Sequence, residues 1–90
     1  MDILATRLKK LIEENKITRY KLAKDLKYGK ATVLNWCDGI NEPKATQIAQ
    51  IAIYFDVSAD YLLGLEDESG AKTYINNSFN NFNNNGNFKI

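Results

Sequence analysis

Basic side chains are concentrated in one part of this 90-residue chain, between residues 16 and 44. The cations in that segment are Lys16, Arg19, Lys21, Lys24, Lys27, Lys30 and Lys44, and the anions are Asp25, Asp38 and Glu42. Lysine and arginine bind phosphate groups, so the segment is a candidate anion-binding surface, although the net charge of the whole chain is only +1. A run of charge is more often an ordinary solvated face, and the pattern alone does not choose between the two.

Residues that support catalysis or metal binding are scarce. The chain has no histidine, and its one cysteine, Cys37, follows Trp36 at the end of a predicted helix. A thiol without a histidine partner is better explained as a small apolar filler than as a nucleophile. One cysteine excludes an internal disulfide and a zinc site, and the five glycines are too dispersed for a phosphate-binding loop. We therefore expect a protein that is not an enzyme and needs no cofactor or metal.

The chain shows no sign of a membrane span or a signal peptide. No apolar run approaches the ~20 residues that a transmembrane helix needs. Near the start, Arg7, Lys9 and Lys10 interrupt the apolar residues, which is unlike a signal peptide. We expect a cytoplasmic protein.

The pattern of apolar residues predicts an all-α fold of five helices in residues 1–65, without alternating strand patterns. Local signals mark the ends: Thr18 and Ser58 as N-caps, and Gly39 and Gly64 as stops. The helices are expected at about 2–15, between Thr18 and Lys27, at 30–37, at 44–55, and from Ser58 to Gly64.

Apolar residues at helical spacing define the expected core, whereas Arg7, Lys10 and Glu14 are expected to face water. The inward residues are Leu4, Leu8, Leu11, Ile12, Leu22, Ala23, Leu26, Val33, Trp36, Ile48, Ile51, Ala52 and Phe55.

The second and third predicted helices are separated by only three residues, Lys27, Tyr28 and Gly29. Two helices joined so tightly cross steeply, and the second is thrust forward where it can enter a DNA major groove. A protein that reads DNA sequence is therefore the first hypothesis.

Residues 66–90 differ in composition from the rest: an acidic linker is followed by the asparagine-rich run KTYINNSFNNFNNNGNFKI. This run is either a flexible low-complexity tail or a β-type oligomerisation element. Asn85-Gly86 is a hairpin-turn dipeptide, but a two-residue turn there would place Phe82 and Phe88 on opposite faces. Both interpretations stay open.

The segment from Arg7 to Gly64 resembles the helix-turn-helix domain of the XRE/Cro-type repressors. The matching pieces are RLKKLIEEN, ITRYKLAKDL, KATVLNW followed by Gly39, the Glu42-Pro43 pair, and VSADYLLG. Their order and spacing also match, over about two-thirds of the chain. The resemblance implies a five-helix lambda-repressor-like domain that binds double-stranded DNA with its third helix, residues 30–37.

By the family's docking mode, the outer face of the third helix contacts base edges. Asn35 would bind adenine through its N6 and N7 groups, and Lys30 would reach O6 and N7 of guanine. Ala31 and Leu34 offer apolar contact to thymine methyl groups, and Thr32 lies at the flank. The alternative for Asn35 and Lys30 is ordinary solvated helix surface.

The resemblance also implies phosphate contacts at the edges of the motif. Arg19 stands where the family commonly has a phosphate-bound glutamine, and Lys44 begins the fourth helix. Thr18, together with backbone amides at Gly39, Ile40 and Asn41, would hold a second phosphate. The expected phosphate contacts are Thr18, Arg19, Gly29, Asn41 and Lys44.

Several residues depart from the family's pattern. Lys27 replaces a glycine of the turn, which predicts either about 1 kcal/mol of strain or a reshaped turn. Gly29 replaces a serine or threonine cap, and contributes no hydroxyl to DNA. Ile12 and Cys37 replace an arginine–glutamate ion pair, so we expect these two apolar side chains to pack together.

The resemblance implies a transcriptional repressor that acts as a homodimer on an inverted repeat. Candidate dimer surfaces are Leu62, Leu63 and Leu65 of the fifth helix region, extended by Ile53 and Tyr54. The alternative is a protein-interaction module such as an antitoxin, with a toxin or an anti-repressor as its partner; the apolar Leu34 would suit a protein groove.

Overall fold

A computed structural model describes residues 2–69 and residue 71 of the chain. Within that part it contains five α-helices and no β-strand, which confirms the predicted all-α class. The helices are α1 (Asp2–Glu14), α2 (Arg19–Leu26), α3 (Lys30–Cys37), α4 (Ala45–Phe55) and α5 (Ala59–Leu63). The predicted bounds differ by about one residue, since α1 ends at Glu14 and α4 begins at Ala45.

The ends of the helices are set by local hydrogen bonds. The Thr18 hydroxyl oxygen accepts from the Lys21 N–H at 2.9 Å, and the Ser58 hydroxyl oxygen accepts from the Tyr61 N–H at 3.0 Å. Gly64 ends α5 with φ of 85°, a left-handed conformation that glycine adopts at little cost. The three predicted caps are therefore confirmed.

One hydrophobic core joins all five helices. Thirteen buried residues form it, and the partly buried Leu26 and Ile48 pack against it. Its members are Leu4, Leu8, Leu11, Ile12, Leu22, Ala23, Val33, Trp36, Cys37, Ile51, Ala52, Phe55 and Leu62. The predicted inward residues are thus confirmed. Leu62, which the sequence offered for a dimer surface, is 0 % exposed, so that assignment is wrong.

Arg7 does not simply face water, contrary to the prediction. Its Nη1 donates to the carbonyl oxygen of Tyr61 at 2.5 Å and to that of Glu66 at 2.6 Å. Its guanidinium carbon also lies 4.4 Å from the centre of the Tyr61 ring. The prediction failed because helical periodicity cannot show that the chain returns over α1 after α5.

The acidic residues after α5 also contact the helical domain. Glu68 accepts a hydrogen bond from the Lys10 ammonium, which raises the pKa of Lys10 and lowers that of Glu68. Glu66 accepts one from the Ser58 hydroxyl. The two interpretations of the asparagine-rich run concern residues 72–90, which lie outside the described residues.

No helix in the described part of the chain is both long enough and apolar enough to cross a membrane.

Candidate nucleic-acid interface

The turn between α2 and α3 keeps the left-handed residue that a tight helix-turn-helix needs. Lys27 has φ of 66° and ψ of 39°, so the turn is not reshaped by the loss of glycine. The Tyr28 N–H donates to the Ala23 carbonyl at 2.9 Å, and the Lys27 N–H donates to that of Lys24 at 3.1 Å. These bonds satisfy the last carbonyls of α2 and let α3 begin at Lys30.

Two tyrosines hold this helix-turn-helix unit against α4. The Tyr28 ring packs edge-on against Trp36, with 5.5 Å between ring centres, and its hydroxyl donates to Gln50 of α4 at 2.5 Å. From the other side, the Tyr54 hydroxyl of α4 donates to Asp25 of α2 at 2.5 Å. This bond from Tyr54, with a further one from Lys21, lowers the pKa of Asp25. The unit therefore has a fixed orientation on the domain.

One face of α3 is buried and the other is not covered by the described chain. Val33, Trp36 and Cys37 lie in the core. On the opposite side, Lys30 and Ala31 are exposed, while Thr32, Leu34 and Asn35 are partly exposed. These are the five residues predicted to contact bases, and the helix places Lys30, Ala31, Leu34 and Asn35 on a common side.

The N-terminus of α2 lies beside the C-terminal end of α3. Thr18 is exposed, and because its oxygen only accepts from Lys21, its hydroxyl hydrogen can still be donated to a ligand. Arg19 is partly exposed, with Nη1 3.6 Å from a carboxylate oxygen of Asp38. Such an exposed ion pair contributes little stability, so a phosphate can compete with Asp38 for Arg19.

Most backbone amides of the loop after α3 are already engaged. The N–H of Gly39 donates to the Trp36 carbonyl at 3.2 Å, and that of Ile40 donates to the Asn35 carbonyl at 2.9 Å. Neither amide therefore has a free hydrogen for the phosphate that the sequence assigned to it. The Asn41 N–H makes only a long bond of 3.4 Å to Asn35, and Asn41 is exposed.

The other two predicted phosphate contacts begin helices. Gly29 is the N-cap residue of α3, as expected, and is exposed. Lys44 is the N-cap residue of α4; its backbone N–H donates to the Gln47 side chain at 2.7 Å, and its side chain is exposed. The N-termini of helices favour anions because their backbone N–H groups point outward.

Ile12 and Cys37, predicted to pack together, are 7 % and 0 % exposed and belong to the same core cluster. Burial raises the pKa of the Cys37 thiol, which therefore stays neutral near pH 7. Their direct contact stays a prediction.

Sequence reasoning missed Tyr20. It lies in the first turn of α2 with 59 % of its surface exposed, and the Lys30 ammonium is 6.0 Å from the centre of its ring. A signal was present in the sequence, because Leu22 and Ala23 define the inward face of α2 and place Tyr20 away from it.

The fold agrees with a comparison against known protein families, in which residues 8–62 match the helix-turn-helix family. The match covers more than half of the chain and includes all of α2, α3 and α4. Neither the curated proteins nor the solved structures contain a significant match to the chain. Domains of the matched family bind DNA and are not enzymes. The chain belongs to the XRE/Cro-type helix-turn-helix family of DNA-binding domains.

Proposed function

We propose that the protein is a sequence-specific transcriptional regulator, and that it represses by occupying an inverted-repeat operator as a homodimer. The observation that carries the proposal is the face of α3 that the described residues leave uncovered. The polar and small residues of this face are not part of the hydrophobic core. The face lies beside the basic N-terminus of α2. A promoter can be blocked by occupancy alone, so this function needs no cofactor, and it would be performed in the cytoplasm.

In this proposal α3 lies in the major groove. Asn35 binds adenine and Lys30 binds guanine, each through two atoms of the base edge. Ala31 and Leu34 contact thymine methyl groups, and Thr32 contacts the neighbouring edge. Partial exposure of Asn35 and Leu34 suits this role, because packing against the domain limits the rotamers from which a base contact is made.

Phosphate groups on both sides of the groove set the register of α3. Thr18 and Arg19 bind one of them at the start of α2, and binding transfers Arg19 from Asp38 to the phosphate. Asn41 shares the phosphate that Thr18 binds, and Lys44 binds a further phosphate. Gly29 lets the backbone approach closely at the start of α3. Lys21, whose ammonium lies 3.2 Å from Asp25 on the same helix, is not among the proposed contacts.

A homodimer is proposed because one α3 reads only a few base pairs. Two copies on an inverted repeat would place their α3 helices about 34 Å apart, one turn of DNA. Exposed apolar residues supply a candidate interface: Ile53 is 80 % exposed and Leu65 is 44 % exposed. Leu63, the last residue of α5, is partly exposed.

The alternative is an antitoxin or another protein-interaction module. It is favoured by the apolar character of part of the surface around α3, where Leu34 is partly exposed and Ile40 is 67 % exposed. A partner helix or loop, from a toxin or an anti-repressor, would occupy the same groove-facing residues.

The test is selection from a random pool of duplex DNA at moderate salt, with the unmodified protein and with Asn35→Ala. The proposal predicts enrichment of an inverted repeat by the unmodified protein and loss of that enrichment in the variant. Binding without enrichment would reduce the protein to a backbone binder and contradict the proposal. No binding even at low salt would favour the protein-interaction module.

Salt dependence gives an independent readout of the phosphate contacts. The logarithm of the binding constant should fall with the logarithm of the salt concentration, with a slope of about −0.9 for each phosphate neutralised. Lys44→Ala should make the slope less steep by about 1 for each copy bound, without changing base preference.

A further inference from the structure

Tyr20 is an aromatic residue that the folding of the domain does not explain. It is 59 % exposed, does not belong to the core cluster or to the side chains packed against it, and its hydroxyl makes no hydrogen bond with the described residues. The other tyrosines of the helix-turn-helix unit and α4, Tyr28 and Tyr54, both pack on the core and donate to side chains. The exposed face of such a ring can attract a nearby cation, and the Lys30 ammonium lies near it.

The position of Tyr20 connects the two parts of the interface. It follows Arg19 in the first turn of α2, and its ring is 6.0 Å from the Lys30 ammonium in the first turn of α3. Lysine has four flexible methylene groups, so an unrestrained Lys30 would sample many positions above the groove. An aromatic face within about 6 Å attracts the ammonium and restricts that sampling.

We propose that Tyr20 is a positioning residue for base recognition: its ring holds the Lys30 ammonium where Lys30 reaches a base edge. The inference rests on the proposed function and adds a residue that shapes specificity without itself reading a base. The ring, and not the hydroxyl, carries the role, so phenylalanine should replace tyrosine and an aliphatic side chain of similar bulk should not.

The experiment compares Tyr20→Leu, Tyr20→Phe, Lys30→Ala and Asn35→Ala. Each is titrated with the operator recovered by selection and with operators carrying one changed base pair. Lys30→Ala should lose most of its preference at one base pair in each half-site, by about tenfold or more. Tyr20→Leu should reduce preference at that same base pair by about three- to fivefold, which is less than the loss in Lys30→Ala. Preference at the base pair that Asn35 contacts should be unchanged. Tyr20→Phe should retain both preferences.

The double variant Tyr20→Leu, Lys30→Ala provides the coupling. If Tyr20 acts through Lys30, Tyr20→Leu has no further effect on base preference once Lys30 is removed. Tyr20 lies outside the core, so all variants should fold, which thermal unfolding verifies.

Failure of the Tyr20 inference can be distinguished from failure of the proposed function. If Asn35→Ala and Lys30→Ala relax base preference but Tyr20→Leu does not, the inference is overturned and the proposed function stands. If the unmodified protein shows no base preference, both are overturned. A loss in Tyr20→Leu that falls equally on every base pair would also overturn the positioning role.

Discussion

At the residue scale, Cys37 offers a direct test of whether the core tolerates a charged group at position 37. It is fully buried beside apolar neighbours, and burial raises the pKa of its thiol. We expect Cys37→Glu to lower the free energy of unfolding by about 3 kcal/mol, because a carboxyl group would be buried without a partner. Urea-induced unfolding measures the change.

Two variants control for size and position. Cys37→Ala should cost about 1 kcal/mol, since it removes only a sulfur atom from the core. The double variant Ile12→Arg, Cys37→Glu should recover part of the loss if residues 12 and 37 touch. Equal stability of Cys37→Glu and the unmodified protein would refute the burial argument. A double variant that loses as much free energy of unfolding as Ile12→Arg and Cys37→Glu lose together would refute the contact.

Asp25 and Tyr54 give a pH-dependent prediction. The hydrogen bond from Tyr54 lowers the pKa of Asp25 from its ordinary 3.8, so its stabilising effect is complete above that value and is lost as pH falls through the depressed pKa. Tyr54→Phe removes the largest cause. NMR titration should therefore show the Asp25 carboxyl pKa rising towards 3.8 in that variant.

Tyr28→Phe is the matched control. It removes the hydrogen bond from the Tyr28 hydroxyl to Gln50 of α4 and leaves the bond between Tyr54 and Asp25 in place. The Asp25 pKa should be unchanged in it. Identical titration of Asp25 in the unmodified protein and in Tyr54→Phe would contradict the assignment of the hydrogen bond.

At the element scale, the turn between α2 and α3 contains a strained residue. Lys27 has φ of 66°, a conformation that costs about 1 kcal/mol for a residue with a Cβ atom. We expect Lys27→Gly to raise the free energy of unfolding by at most about 0.5 kcal/mol, because the greater freedom of glycine in the unfolded chain offsets about 0.5–1 kcal/mol of the relieved strain. Thermal or urea-induced unfolding provides the measurement.

Lys24→Gly is the control within the same helix. Lys24 is exposed and helical, so glycine should destabilise there by about 1 kcal/mol. If both glycine variants destabilise to the same extent, the left-handed conformation of Lys27 is not a source of strain.

The helices were predictable from sequence because their signals are local. Thr18, Ser58 and Gly64 act on backbone groups within a few residues of themselves, and the apolar spacing shows which face of each helix is inward. The family resemblance added the role of α3. The left-handed Lys27 could be expected only as one of two outcomes, because sequence does not show whether the fold tolerates strain or relieves it.

Features that depend on distant parts of the chain were not predictable. Arg7 was expected in water, but it donates to carbonyl oxygens more than fifty residues away. Leu62 was offered to a partner, but it fills the core between helices. The exposure of Tyr20 could be predicted, but its approach to Lys30 could not, because Lys30 lies across the turn on another helix. In each case the contact depends on how whole helices pack.

At the scale of the whole molecule, Arg7 connects the beginning of the domain to its end. Its side chain joins α1 to the last turn of α5 and to the backbone at Glu66. We expect Arg7→Ala to lower the free energy of unfolding by about 2 kcal/mol, because two charged hydrogen bonds and the packing on Tyr61 are lost. Urea-induced unfolding measures the loss.

Lys9→Ala is the control on the same helix. Lys9 is exposed, so its removal should change stability by less than about 0.5 kcal/mol. A loss no larger in Arg7→Ala than in Lys9→Ala would show that the Arg7 contacts do not hold the two ends together.

The most direct test of the central claim is the ratio of two binding constants, one for the selected operator and one for a scrambled duplex of equal length. The ratio is measured at one salt concentration for the unmodified protein, Asn35→Ala and Lys24→Ala. If α3 reads bases, Asn35→Ala lowers the ratio by about tenfold or more, whereas the exposed Lys24→Ala of α2 leaves it unchanged. An unchanged ratio in Asn35→Ala would contradict base recognition by Asn35 on α3.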